Sequence, residues 1–170
     1  MTGTSQKTIF KPRSSTGWIW VGLIALVLLA TGLTLLITSG FSGPFLIMIL
    51  LTIPIGIGFL LLAVFFPTMR YEIDDSSVRL IYGPLLRYTI DLQQIKKIHN
   101  CDLGFSPVSS FRFPGLAIFT VPYPEVGNVK MCATASSTGI LLIETRSTKY
   151  GLTPAKEEEF VRELTKRMEQ

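Results

Sequence analysis

Two long apolar runs dominate the hydrophobic pattern of this chain. From Ser14 to Met69, 56 consecutive residues include no Lys, Arg, Asp, Glu or His, and the six residues Ser39-Gly-Phe-Ser-Gly-Pro44 split that stretch in two. The runs, Trp18 to Thr38 and Phe45 to Phe66, each reach the roughly 20 apolar residues that a bilayer-crossing helix needs. Neither alternates, so helices are the expected way of satisfying their backbone groups in hydrocarbon. The short connection makes the pair an antiparallel hairpin. Trp18 and Trp20 at its entrance and Phe65-Phe66-Pro67 at its exit read as aromatic residues at a headgroup boundary, with Arg70 the first charge beyond.

From Arg70 the pattern changes to short β-like runs separated by turn clusters. Tyr71-Glu-Ile73 is followed by the turn Asp74-Asp-Ser-Ser77. Val78, Leu80 and Tyr82 share a face before Gly83-Pro84, and Tyr88, Ile90 and Leu92 share one in the run from Arg87. Ile95 and Ile98 carry a fourth strand. Asp102 to Pro114 breaks the rhythm as the longest loop. Strands resume at Leu116–Val121, Val129–Thr134 and Ile140–Thr145, with a last short one at Lys149–Leu152. Thr153-Pro154 is expected to open a helix, Thr153 capping it and Glu157, Glu158 and Glu159 opposing its dipole. Phe160, Val161, Leu164 and Met168 make its apolar stripe.

Charge sets the expected orientation. Lys7, Lys11 and Arg13 precede the first helix, Arg70 follows the second, and the connection has no cation, so the positive-inside rule puts both termini in the cytoplasm. The first run exceeds the roughly 7–15 apolar residues of a signal peptide and no Ala-x-Ala-like site follows, so it is expected to remain. Neither helix carries an ionisable side chain, which removes candidates for a proton or ion path and leaves an anchor. Thr52-x-x-x-Gly56 and Ala30-x-x-x-Thr34 place small residues one turn apart. Gly56-Ile-Gly58 has no strand before it and is no phosphate loop, and Pro54 is expected to kink the second helix.

Of the 170 residues, about 100 lie from Met69 onward, enough for one small domain. The net charge of +4 is concentrated in the tail: beyond Arg13 there are 13 cations and 12 anions, or +1. Acids and bases are interleaved there, which excludes a nucleic-acid face. Cys101 and Cys132 are expected to be free thiols in a reducing compartment. His99 and Cys101, two apart on one strand face, lack further ligands at metal spacing. No metal and no cofactor are expected.

Several segments together resemble a known family: Arg112-Phe-Pro-Gly115, Tyr123-Pro-Glu-Val-Gly-Asn-Val-Lys-Met-Cys-Ala-Thr134, Ile140-Leu-Leu-Ile-Glu-Thr145, Tyr150-Gly-Leu-Thr-Pro154 and Glu159-Phe-Val-Arg-Glu-Leu164. Over most of Met69 to Met168 the chain is similar to the bacterial PH-domain families of small prokaryotic membrane proteins. The resemblance implies a pleckstrin-homology-like bent β-barrel of about seven strands, capped by one C-terminal helix. It also implies a binding or scaffolding module. The expected organisation is therefore a cytoplasmic tail over 1–17, a two-helix transmembrane hairpin over 18–66 and a PH-like cytoplasmic domain over 69–170.

Three functions compete. An interaction module at the cytoplasmic face of the cell membrane would use the long loop, where Phe105, Phe111 and Phe113 surround Arg112 as interface anchors do; the competing reading has those rings plugging the barrel. A binder of anionic lipid headgroups would use Arg70, Arg79 and Arg87, but Asp74 and Asp75 in the first turn repel phosphate. An enzyme, or an accessory subunit of one, finds little support, since no nucleophile elbow, phosphate loop or paired carboxylates occur. The expected partners are the lipid bilayer and a protein, with a second copy included if an edge strand such as Lys149 to Leu152 pairs across subunits.

Overall fold

The apolar runs form two helices, α1 (Gly17–Ser39) and α2 (Phe45–Phe65). They belong to a computed structural model that describes residues 7–40, 43, 45–104 and 112–169. The chain divides into two units: residues up to Ser15 together with those from Thr68 onward, and Thr16–Pro67.

In the helical unit, 23 and 21 residues give lengths of about 34 and 31 Å, enough to cross a hydrocarbon layer of about 30 Å. Glycines let the helices approach. A Cβ on Gly32 would lie 2.6 Å from Ile53 Cγ1, and one on Gly56 would lie 2.9 Å from Leu29 Cγ. Thr52-x-x-x-Gly56 therefore sits in the contact, whereas Ala30 and Thr34 are exposed and bond each other, Thr34 Oγ1 donating to the Ala30 carbonyl at 2.8 Å. Helix α2 continues through Pro54. Most of the remaining Leu, Ile and Val side chains of both helices face outward.

The second unit is mostly β. Strands β1 (Thr8–Phe10), β2 (Arg70–Ile73), β3 (Ser77–Tyr82) and β4 (Leu86–Asp91) form one antiparallel sheet in that order. Strands β5 (Ile95–Cys101), β6 (Arg112–Phe113), β7 (Leu116–Tyr123), β8 (Gly127–Ala133), β9 (Ile140–Thr145) and β10 (Lys149–Leu152) form another, ordered β5-β9-β10-β8-β7-β6. Helix α3 (Glu157–Met168) ends the unit.

Four sequence expectations change here. The single bent barrel of about seven strands is instead two open sheets with ten strands among the described residues. After β4 the chain enters a 3₁₀ turn, Leu92–Gln94, in which the Asp91 carboxylate accepts from the Gln93 amide at 3.0 Å, and it then pairs with β9 instead of β4. Lys149–Leu152 is no edge: β10 lies between β9 and β8, antiparallel to one and parallel to the other. Thr153 does not cap α3, which starts at Glu157; the buried Thr153 hydroxyl accepts from the Thr134 amide at 2.8 Å. The apolar stripe of α3 continues from Phe160 and Leu164 to the buried Arg167, leaving Met168 exposed.

Alternation sets the core. Tyr71 and Ile73 of β2 and Val78, Leu80 and Tyr82 of β3 point inward, and Ala117, Val121, Val129, Met131, Ile140 and Leu142 line the other sheet. Tyr71 ties the two sheets together. Its hydroxyl donates to the Cys132 carbonyl at 2.7 Å and accepts from the Thr153 amide at 3.2 Å, and burial pushes its phenol far above the ordinary range.

Candidate interaction site at the N-terminal strand

The segment before α1, which the sequence presents as a tail, is built into the β unit. Thr8, Ile9 and Phe10 pair antiparallel with Ile73, Glu72 and Tyr71. Beyond them, the Lys11 carbonyl accepts from the Ala155 amide at 3.0 Å and the Arg13 amide donates to the Thr153 carbonyl at 2.7 Å. Pro12 sits between these two bonds, opposite Pro154, at a position where its missing N–H is not needed. The Ser15 hydroxyl then donates to the Gly115 carbonyl at 2.7 Å.

Side chains fix the segment on both faces of the sheet. Inward, Phe10 is buried with its ring edge-on to Phe160 of α3, and Phe160 is edge-on to Tyr71. Outward, Glu72 is only 1 % exposed, with Lys7 Nζ 2.9 Å from Oε2 and Arg70 Nε 2.8 Å from Oε1. Burial by itself would raise the Glu72 carboxyl; the bonds from Arg70 and Lys7 outweigh it and hold the group below the usual carboxylate range. At the far end, Arg167 spreads its fork over Glu163, Asp75 and the Thr8 hydroxyl. A groove of about 570 Å³ runs beside the strand, lined by Thr8–Lys11 and by Lys156, Glu159 and Arg162 of the helical side.

Of the residues singled out from sequence, Phe105 and Phe111 lie outside the described residues. Arg112 stacks over the Tyr123 ring at 4.8 Å and donates to the Ser136 carbonyl at 2.8 Å, a carbonyl that the Tyr123 hydroxyl also reaches. It works as a brace between β6 and the 134–139 turn. Phe113 is half-buried in β6 opposite Leu116. Trp18 and Trp20 are each 50 % exposed on α1, and Arg70 is engaged with Glu72. Arg79 is paired with Asp74.

Catalytic chemistry has little to build on among the described residues. Burial pushes the Cys132 thiol up to about 12, and burial followed by the Asp102 and Glu144 charges holds Cys101 above its usual value, so neither is poised as a thiolate. His99 Nδ1 is buried without a hydrogen-bond partner, but no three His, Cys, Asp or Glu side chains converge on a metal-sized site among the described residues.

Compared with known families, residues 69–168 match the bacterial PH domain. The chain belongs to this family. PH domains are typically non-catalytic interaction modules. No curated protein and no solved structure matches the chain. The matched PH domain begins at Met69, so β1 lies outside it. Without β1, the sheet of this PH domain would end at β2, with Glu72 and the Phe160 ring beside an open edge.

Sequence reasoning missed this seat because its parts lie about 60 to 160 positions from the segment along the chain. The available signal was Ile9-Phe10 between cations, an apolar pair in what otherwise reads as a polar tail.

Proposed function

We propose that the protein is a membrane-anchored interaction module. In this reading α1 and α2 span the membrane, both termini face the cytoplasm, and the PH domain binds an extended protein segment at the β2 edge beside α3 by displacing its own residues 7–13, with no catalysis. Support for the anchor comes from the helices: few of their positions are buried, and Leu26, Ile37, Ile47 and Leu50 are among many large apolar side chains facing outward. Such surfaces suit acyl chains. Cations stand on the terminal side of both helices, as the orientation requires.

The observation that carries the binding mode is the seated segment itself. Residues 7–13 occupy the β2 edge as an added strand does in β-augmentation, with main-chain pairing on one side, an aromatic ring in a pocket and a cation on a buried carboxylate. Specific lipid binding is less well served, because Lys7, Arg70 and Arg79 are each committed to a carboxylate.

The test is affinity capture of the full chain in mild detergent, wild type against Phe160→Ala. Proteins bound by the wild type and lost from a folded Phe160→Ala chain support the reading. An unchanged set of captured proteins moves the contact elsewhere, and release of the chain from membranes by alkaline carbonate removes the anchor.

A further inference from the structure

We propose that an extended, acidic segment of a partner protein docks in the groove between β1 and α3, adding to the free edge of β1 without displacing it. The inference goes beyond the displacement reading, because it needs residues 7–13 seated and uses the side of the strand turned away from β2.

Three features of the groove select such an occupant. The first is main-chain capacity. β1 stands at the end of the order β1-β2-β3-β4, so among the described residues it has a strand on one side only. An edge strand presents unpaired N–H and C=O groups to an incoming chain. The second is room. Lys156, Glu159, Arg162 and Glu163 recur at three- and four-residue spacing and share one face, which walls the groove of about 570 Å³ opposite β1. Ile9, also lining it, is 55 % exposed and offers an apolar contact.

The third feature is charge. Lys156 bonds Glu159 at 3.0 Å and Arg167 bonds Glu163 at 2.9 Å, so both carboxylates of the groove are matched within the chain. Lys11 on the strand side and Arg162 on the helix are exposed and have no carboxylate partner among the described residues. A cation on each wall attracts a segment whose carboxylates flank an apolar residue and turns away basic ones. Short length and flanking cations also guard an edge against copies of the same protein, and the longest acidic run of this chain, Glu157–Glu159, is committed to α3.

Fluorescence anisotropy on the full-length protein in neutral detergent tests this. The probe is a labelled peptide of about eight residues alternating Glu and Val, with a Lys/Val peptide as its opposite in charge. The expected result is saturable binding of the Glu/Val peptide, weakened about tenfold by Arg162→Glu or Lys11→Glu and weakened by salt. The Lys/Val peptide stays free. Arg162→Gln guards against misfolding of the reversed chains and is expected to weaken binding about threefold. Two further probes carry N-methyl groups at every Glu or at every Val. An added strand turns only one of these sets of amides toward β1, so one probe binds and the other does not.

Equal binding of the Glu/Val and Lys/Val peptides, unchanged affinity in both Arg162 variants, or equal binding of the two N-methylated probes overturns the proposal. Phosphatidylglycerol added to the micelles is the remaining arm: Arg162-dependent binding of that lipid with no binding of the peptide assigns the groove to a lipid headgroup and overturns it as well. Any of these failures leaves displacement at β2 standing, since that seat takes a cation and an aromatic ring, not carboxylates.

Discussion

The rings of Phe10 and Phe160 meet edge-on, with centroids 5.2 Å apart and planes at 78°. One precedes the helical hairpin and the other lies in the last helix of the PH domain, so a single ring contact closes nearly the whole length of the chain. Truncating Phe10 removes that contact and opens the pocket beside Tyr71. Phe10→Ala is expected to cost the domain about 3 kcal/mol, and Phe10→Leu, which refills part of the space, about half of that. All five tyrosines lie in the domain and both tryptophans in α1. Tyrosine near-UV circular dichroism during denaturation therefore reads the domain, and an unchanged midpoint in Phe10→Ala would show that β1 is not seated.

Glu72 makes the seat sensitive to acid. Its folded-state pKa is lowered from an ordinary 4.5. A group shifted in this direction contributes stability that is fully present above its unfolded value and lost as pH falls through its folded one. The stability gap between wild type and Glu72→Gln is expected to be flat from about pH 6 to 8 and to shrink below about pH 4.5. At neutral pH the gap should be modest, about 1–2 kcal/mol, because both cations remain half exposed and solvent screens them. Denaturant curves at several pH values check this; a gap that widens in acid would contradict the assigned bonds.

What the sequence revealed and what it hid follow from the range of the interactions. Local periodicity marks α1, α2, β3 and β4 because neighbours in sequence share a face, and the Glu157–Glu159 run marks the start of α3. The strand at Thr8–Phe10 is three residues long, too short to show alternation, and its pairing partner is remote. Thr153 carries the local signature of a cap, but a tertiary bond to Thr134 claims its hydroxyl and the helix starts later. Arg167 reads as a surface cation closing a helix, yet Asp75 and Glu163 satisfy it well enough to be buried in place of Met168. At the loop site, Arg112 lies over Tyr123 and bonds the Ser136 carbonyl, while Phe105 and Phe111 lie outside the described residues.

Gly151 shows why β10 is central. It is buried, and a Cβ there would collide with Met131 Sδ and lie 3.2 Å from Ile140 Cγ2. A side chain there must displace the end of the Met131 side chain and press on Ile140. Gly151→Ala is expected to destabilise the domain by about 1–3 kcal/mol. Adding Met131→Ala, itself costly, should cost less than the sum of the two single changes, because the cavity it leaves accepts the new methyl. A double-mutant cycle in urea reads the coupling, and strict additivity would mean the two positions do not touch.

The helical hairpin can be tested separately from the domain. A Cβ on Gly22 would stand 3.7 Å from Ala63 Cβ, close to the spacing of about 3.8 Å that a disulfide needs. Gly22→Cys with Ala63→Cys should therefore oxidise readily in a membrane, closing a loop that peptide mapping identifies. Adding Gly32→Val, whose side chain must enter the space held by Ile53 and Thr52, forces α1 and α2 apart and should slow that closure about tenfold, as expected when a close contact is overpacked. Gly58→Ala is the matched control, because no atom lies within 4 Å of a Cβ there; it should leave the rate unchanged. Equal rates in Gly32→Val and Gly58→Ala would mean that the close approach at Gly32 does not hold the helices together.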